Sequence, residues 1–293
     1  MTNRLVDAAY GLGWAVTRHL PEPVAHAAFA RMADQIWRRQ GSGVRRLQAN
    51  LRRACPEATD AEIDELSRQG VRSYLRYWCE AFRLPVWSRD LVLERMVVHH
   101  EHRLRDAYAE GRGVVIPLPH LANWDMAGAW ACMTGMPLTT VAERLQPERL
   151  FRRFVAYRES LGMEVLPLTG GAEPPLRTLF ARARAGRLIC LVADRDLSAS
   201  GVEVQLLGAP ARLPGGPAAI ARTTGAPLLP ATLAYDGPRM HLTVHERVAP
   251  VTGSEGLREM TQGVADAFSE AIRAHPQDWH MLQRVFTDDL EPA

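Results

Sequence analysis

His120 closes the apolar run Gly113-Val114-Val115-Ile116-Pro117-Leu118-Pro119, and Asp125 follows five positions later. Asn123 between them is a good helix N-cap, so Asp125 falls in the first turn of a predicted helix. A carboxylate there can accept a hydrogen bond from one imidazole nitrogen and leave the other as a base. It also favours the imidazolium that proton transfer creates. The turn holds no Ser or Cys, and no GxSxG elbow occurs anywhere in the chain. A histidine–aspartate dyad without its own nucleophile suits activation of a hydroxyl on a substrate. By spacing alone, the pair reads at least as well as a satisfied core histidine beside a helix-start carboxylate.

Positioning these groups is a matter of the surrounding elements. Up to about residue 110 the pattern is helical. PEPVAHAAFARMADQIWRR carries prolines tolerated in a first turn, and GVRRLQANLRRAC follows. TDAEIDELSRQGVRSYLRYWCEAFRL has Thr59 and Glu62 at capping-box spacing. From about 113 short apolar or alternating runs take over: GVVIPLP, LTTVAE, MEVLPL, LICLVAD, VEVQLLG, APLLPATLAY and MHLTVHE. Helical stretches separate most of them, which implies an α/β fold with a mostly parallel central sheet flanked by helices. VEVQLLG and MHLTVHE are expected to add antiparallel pairs, and a helix follows from GSEGLREM. The chain reads as one domain over 1–293, with a mainly helical, membrane-facing layer at 1–110 and the α/β catalytic part at 111–293. In open α/β sheets ligands gather at the carboxyl ends of the strands. Glu143 and Asp194 both end predicted strands, on the same rim as His120.

Composition sets further bounds. The 293 residues are 47% hydrophobic and 23% charged, ordinary for a globular protein with a large core. A net charge of +2 does not argue for nucleic acid. All 35 basic residues are arginine, so every side-chain ammonium role falls to a planar guanidinium, suited to phosphate and carboxylate. Cys55, Cys79, Cys132 and Cys190 are widely spaced, a pattern that suits buried thiols in a reducing compartment. No stretch reaches the roughly 20 apolar residues of a membrane span. RLVDAAYGLGWAVTRHL is too broken by Arg4, Asp7, Gly11, Gly13 and Arg18 to span. It can lie in an interface, with Leu5, Ala9, Leu12 and Val16 on one face and Trp14 and Arg18 near headgroup level. Such a stripe is equally the mark of an ordinary core-facing helix.

The combination HLANWD, YRESLG, LVADRDL and LPGGPAAIARTTGAPLLP, closing with PQDWHMLQRVF, resembles one bacterial acyltransferase family. That family contains the lipid A lauroyl/myristoyl acyltransferases and the actinobacterial phosphatidylinositol mannoside acyltransferases. The resemblance runs over most of the chain and is closest to the mannoside branch. It implies transfer of an acyl group, with palmitoyl expected, from acyl-CoA to a mannose hydroxyl of a mannosylated phosphatidylinositol lipid. It also implies peripheral attachment at the cytoplasmic face of the cell membrane and no metal or cofactor. By the resemblance, His120 is the general base and Asp125 its partner. Glu143 and Arg158 match the positions of a second charged pair lining the substrate groove and Asp194 another acidic position there, and Arg158 becomes the counter-charge that lets nearby carboxylates coexist. Arg149, Arg152 and Arg153 form a basic turn that can meet phosphates or simply face solvent. Gly215 and Gly216 lack the Lys-Ser/Thr of a P-loop and read as a tight turn.

Two alternatives stay open. One is an acyltransferase of another glycolipid or a lysophospholipid. The other is a hydrolase, either of thioesters or metal-dependent, with His99, His100, Glu101 and His102 as candidate ligands beside His120, Asp125 and Asp194. A transferase must keep water from its thioester, so the acyl chain is expected in an apolar groove. The groove should be walled by NWDMAGAWACM, with His120 at its mouth.

Overall fold

Three helices lead the chain: α1 (Glu22–Arg38), α2 (Ser42–Ala54) and α3 (Asp60–Arg83). The structure, a computed structural model, describes residues 13–289 apart from 15, 145, 146, 172, 197 and 199. The capping box forms as the spacing predicts: Thr59 Oγ1 accepts from the Glu62 amide, and the Glu62 carboxylate accepts from the Thr59 amide at 2.7 Å. Leu47, Leu51, Ile63 and Val71 interlock in a small apolar cluster that ties these helices together. The far face of α3 is different. Its buried Ser73, Tyr77 and Glu80 point polar groups toward the rest of the molecule.

Next come α4 (Arg89–Arg95), β1 (Met96–His99) and α5 (Glu101–Ala109). The strand is one that the mainly helical pattern of the first 110 residues does not show. Met96-Val97-Val98-His99 is too short to show a period of its own, and it pairs in parallel with a distant strand. The α/β part then runs β2 (Val114–Leu118), α6 (Trp124–Met133), β3 (Leu138–Ala142), α7 (Glu148–Ser160), β4 (Glu164–Pro167), α8 (Pro175–Arg184) and β5 (Leu188–Val192). These four strands make an all-parallel sheet in the order β2-β5-β3-β4. A hairpin of β6 (Val202–Leu206) and β7 (Ala209–Leu213) follows, then α9 (Gly216–Thr224), β8 (Ala231–Asp236), β9 (Arg239–Val244) and α10 (Gly256–Ala274). The expected antiparallel pairs are present: β6 with β7 and β8 with β9. The second sheet, β1-β9-β8, is stitched to β2 where Val115 exchanges backbone hydrogen bonds with Pro227 and Leu229.

Of the two readings of the stripe around Trp14, interfacial or core-facing, the structure shows the core-facing one at Trp14. Its ring is buried, stacked on Phe82 with centroids 4.9 Å apart and edge-on to Tyr157 at 5.4 Å. Burying that much aromatic surface outweighs an interfacial position. Leu5, Ala9 and Leu12 lie outside the described residues. Among those described, no helix is long and apolar enough to cross a membrane.

Candidate active site

Parallel register brings the key pair together. β2 and β5 are neighbours, with Leu118 opposite Val192, so the residues two beyond each strand end, His120 and Asp194, face one another. His120 Nδ1 lies 2.6 Å from Asp194 Oδ1, and the His120 amide donates to Asp194 Oδ2 at 3.0 Å. The Trp279 indole Nε1 donates to the same Oδ2 at 2.9 Å. Asp194 is fully buried. Burial alone would raise its pKa, yet the neighbouring imidazole and these three hydrogen bonds prevail and hold it below the usual carboxylate value. An ionised carboxylate only accepts, so Nδ1 carries the proton and Nε2 presents a lone pair. The ring is about one-third exposed (31%), and nothing among the described residues bonds Nε2. Trp124 stands edge-on to the imidazole, centroids 5.3 Å apart.

The H-x4-D spacing suggests Asp125 as the imidazole's partner; the structure puts Asp194 there instead. Asn123 does cap α6, accepting from the Met126 amide at 3.0 Å, and Asp125 does sit in its first turn. Both Asp125 oxygens are already engaged. Arg158 Nε donates to Oδ1 at 2.7 Å and the Tyr77 hydroxyl to Oδ2 at 3.0 Å. Desolvation would strip Arg158 of charge, but Asp125 beside it overcomes that and raises its pKa further. Asp125 and Arg158 thus form a buried ion pair locking α6 to α7 and α3. Glu143 lies exposed just beyond β3, on the same strand-end rim, and the expected pairing of Arg158 with it gives way to the one with Asp125. Of the five expected residues, the structure joins His120 to Asp194 and Asp125 to Arg158.

Residues invisible as site components in the sequence brace the loop between β2 and α6. Ala122, not a glycine, adopts φ +46°, a left-handed conformation that costs about 1–2 kcal/mol for an L-residue. Its amide is held by Asp278 O at 3.0 Å, while His280 N donates to His120 O at 2.8 Å. Asp278 itself accepts from the Ser73 hydroxyl and the Tyr235 amide. Because Ser73 gives its proton to Asp278, its lone pair takes the His280 Nε2–H at 2.9 Å. His280 is wholly buried, and desolvation pushes its pKa down to about 3. Behind the loop, Glu80 accepts from Asn123, Tyr235 and Arg76. The only advance signal was PQDWHM, which carries Asp278, Trp279 and His280.

Beneath α6 lies an apolar cavity of about 790 Å³, its solvent-open mouth included. Trp124, Asp125, Ala127, Gly128, Trp130 and Ala131 wall it, all from the expected segment. His120 is not itself a wall residue; it abuts one, Trp124. Gly215 turns against Val202 rather than toward this cavity. Arg149 and Arg152 are exposed on α7, as a solvated face would be. Among the described residues, no three His, Cys, Asp or Glu side chains converge as metal ligands; His99 bonds His241 instead.

A strand-end imidazole thus stands with one nitrogen unbonded among the described residues, braced by a buried carboxylate and near an apolar cavity. A family model described as bacterial lipid A biosynthesis acyltransferase matches residues 1–288, and the chain belongs to that family. It is 43% identical over 287 residues to a phosphatidylinositol mannoside acyltransferase of Mycolicibacterium smegmatis, covering 98% of this chain and 93% of that protein. It is 44% identical over 296 residues to one of Mycobacterium tuberculosis, covering 100% and 92%.

Proposed function

We propose that this protein moves a long-chain acyl group, palmitoyl foremost, from acyl-CoA to a mannose hydroxyl of a phosphatidylinositol mannoside. The acceptor class comes from the near full-length similarity to proteins named for it. The observation that carries the chemistry is the free Nε2 of His120, whose Nδ1 is committed to Asp194. Nε2 takes the proton of the acceptor hydroxyl as its oxygen attacks the thioester carbonyl. The tetrahedral intermediate then expels the thiolate of coenzyme A, and the imidazolium returns the proton to sulfur. Asp194 orients the ring and offsets the imidazolium charge without being protonated. Arg158, at the cavity wall, gives Nε to Asp125, and its terminal N–H groups, unbonded among the described residues, meet oxygen atoms of the substrates. Glu143, exposed on the same rim, accepts hydrogen bonds from sugar hydroxyls of the acceptor.

The acyl chain takes the cavity under α6, which excludes water from the thioester. The protein works from the membrane surface. Val24, Met32 and Ile36 are exposed at helical spacing along α1, and the neighbouring Arg31, Arg38 and Arg39 are exposed as well. That combination suits the inner leaflet of the cell membrane, with its anionic headgroups. The test is product analysis with labelled palmitoyl-CoA, alone and with mannosylated inositol lipid. Labelled acylated lipid supports the reading. Free fatty acid as the sole product in both, at an undiminished rate, would make the protein a thioesterase.

A further inference from the structure

The cavity under α6 has a direction. β2 and β3 are parallel neighbours of β5, so the intervening α6 must run back from the strand carboxyl ends toward their amino ends. Trp124 and Asp125, at the start of α6, therefore mark the end near His120. Leu138 and Leu188, the first residues of β3 and β5, mark the far end. At about 3.3 Å per residue, four residues of β5 separate the two ends by roughly 13 Å.

Gly128 lies midway along α6 and faces Leu138, at that far end. A Cβ built on it meets Met163 Cε at 2.6 Å, Met163 Sδ at 3.1 Å and Leu138 Cδ2 at 3.3 Å. All three residues line the cavity, and the volume that a side chain at 128 would fill is held by the Met163 thioether at the cavity edge. The glycine is a poor helix residue in the interior of a helix, and its φ is not one that demands glycine. Its use here is the space it leaves. Met163, just before β4, closes that space with an unbranched, adaptable side chain.

We propose that Gly128 and Met163 together set the length of acyl chain that this protein accepts, Gly128 by opening the floor of the cavity and Met163 by forming its movable stop. The proposal rests on the acyl-transfer reading above. A methyl group at 128 drives the Met163 thioether into the cavity and shortens it, so long chains lose burial while short ones do not. Excluding about two methylenes, at about 0.8 kcal/mol each, lowers use of palmitoyl relative to lauroyl about tenfold. Gly128→Ala is a safe substitution, because alanine favours the helix and the first atom met is the end of a flexible side chain.

The experiment compares decanoyl-, lauroyl-, palmitoyl- and stearoyl-CoA as donors for wild type, Gly128→Ala and Met163→Ala, with circular dichroism and thermal melts on each. The expected result is a preference moved to shorter chains in Gly128→Ala and to longer chains in Met163→Ala. Thermal stabilisation by each acyl-CoA, read without acceptor, should follow the same order. A wild type that transfers acyl groups, beside folded variants that keep its chain-length profile or lose all lengths equally, overturns the proposal. A wild type with no transfer to any lipid overturns the underlying reading instead.

Discussion

Two aspartates stand on either side of the site loop, and they are built for opposite purposes. Asp194 is buried with a partner that can change its charge, and that partner keeps one nitrogen open. Asp125 is buried with a partner that cannot, since arginine stays protonated, and both its oxygens are taken. The first arrangement tolerates a proton arriving and leaving; the second fixes three helices against each other. A buried carboxylate is thus informative less by its burial than by what its partner is able to do.

Breaking the first arrangement at its working end should have the largest effect. His120→Ala removes the base, and transfer should fall by about a hundred- to ten-thousand-fold while the melting temperature stays near wild type. Retention of most activity would end the case for His120 as base. Asp125→Asn leaves Arg158 buried without a counter-charge, which should cost about 3–5 kcal/mol of stability. Denaturant unfolding reads it, and a loss of activity without loss of stability would move Asp125 from structure to chemistry. Asp194→Asn keeps the shape but loses the charge. Its transfer rate should drop about a hundredfold, near 2.7 kcal/mol, with acyl-CoA binding little changed. An equal loss in both aspartate variants, with equal stability, would erase the contrast between them.

A smaller effect concerns pH. His280 is neutral in the folded chain down to about pH 3, whereas the unfolded chain takes up that proton near 6.5. Between those values the unfolded state binds the extra proton, so stability falls as pH falls, by up to about 1.4 kcal/mol per unit. Asp194 adds a loss only lower down, because its pKa is depressed and its contribution persists until pH falls through the folded value. Melting curves at pH 7, 6 and 5 should show the His280 slope, and His280→Gln should flatten it. An unchanged slope in that variant would assign the acid sensitivity elsewhere.

Much of this was legible in the sequence, for identifiable reasons. His120 announces itself because an apolar run ends on it, and Glu143 and Asp194 because they too close strands. The pairing of His120 with Asp194 was not legible. It depends on β5 inserting between β2 and β3, and strand order is settled by packing across the whole sheet rather than by any local pattern. Spacing pointed to Asp125 because it is near in sequence, while Tyr77 and Arg158, which claim it, come from elements far to either side. The strained turn was hidden for a further reason: Ala122 carries no glycine to betray a positive φ. Trp14 reads as interfacial by type and is buried only because Phe82 and Phe154 meet it.

The turn at Ala122 is held open by Asp278 and His280, and Asp194 by Trp279, so the centre is completed by a segment made well after the sheet rim. During synthesis the sheet rim emerges long before its brace. A nascent or prematurely ended polypeptide can carry His120, Asp125 and Asp194 and still lack the clamp that aligns them. A chain cut before residue 278 keeps the strand ends but loses every contact through which Asp278, Trp279 and His280 hold them in place.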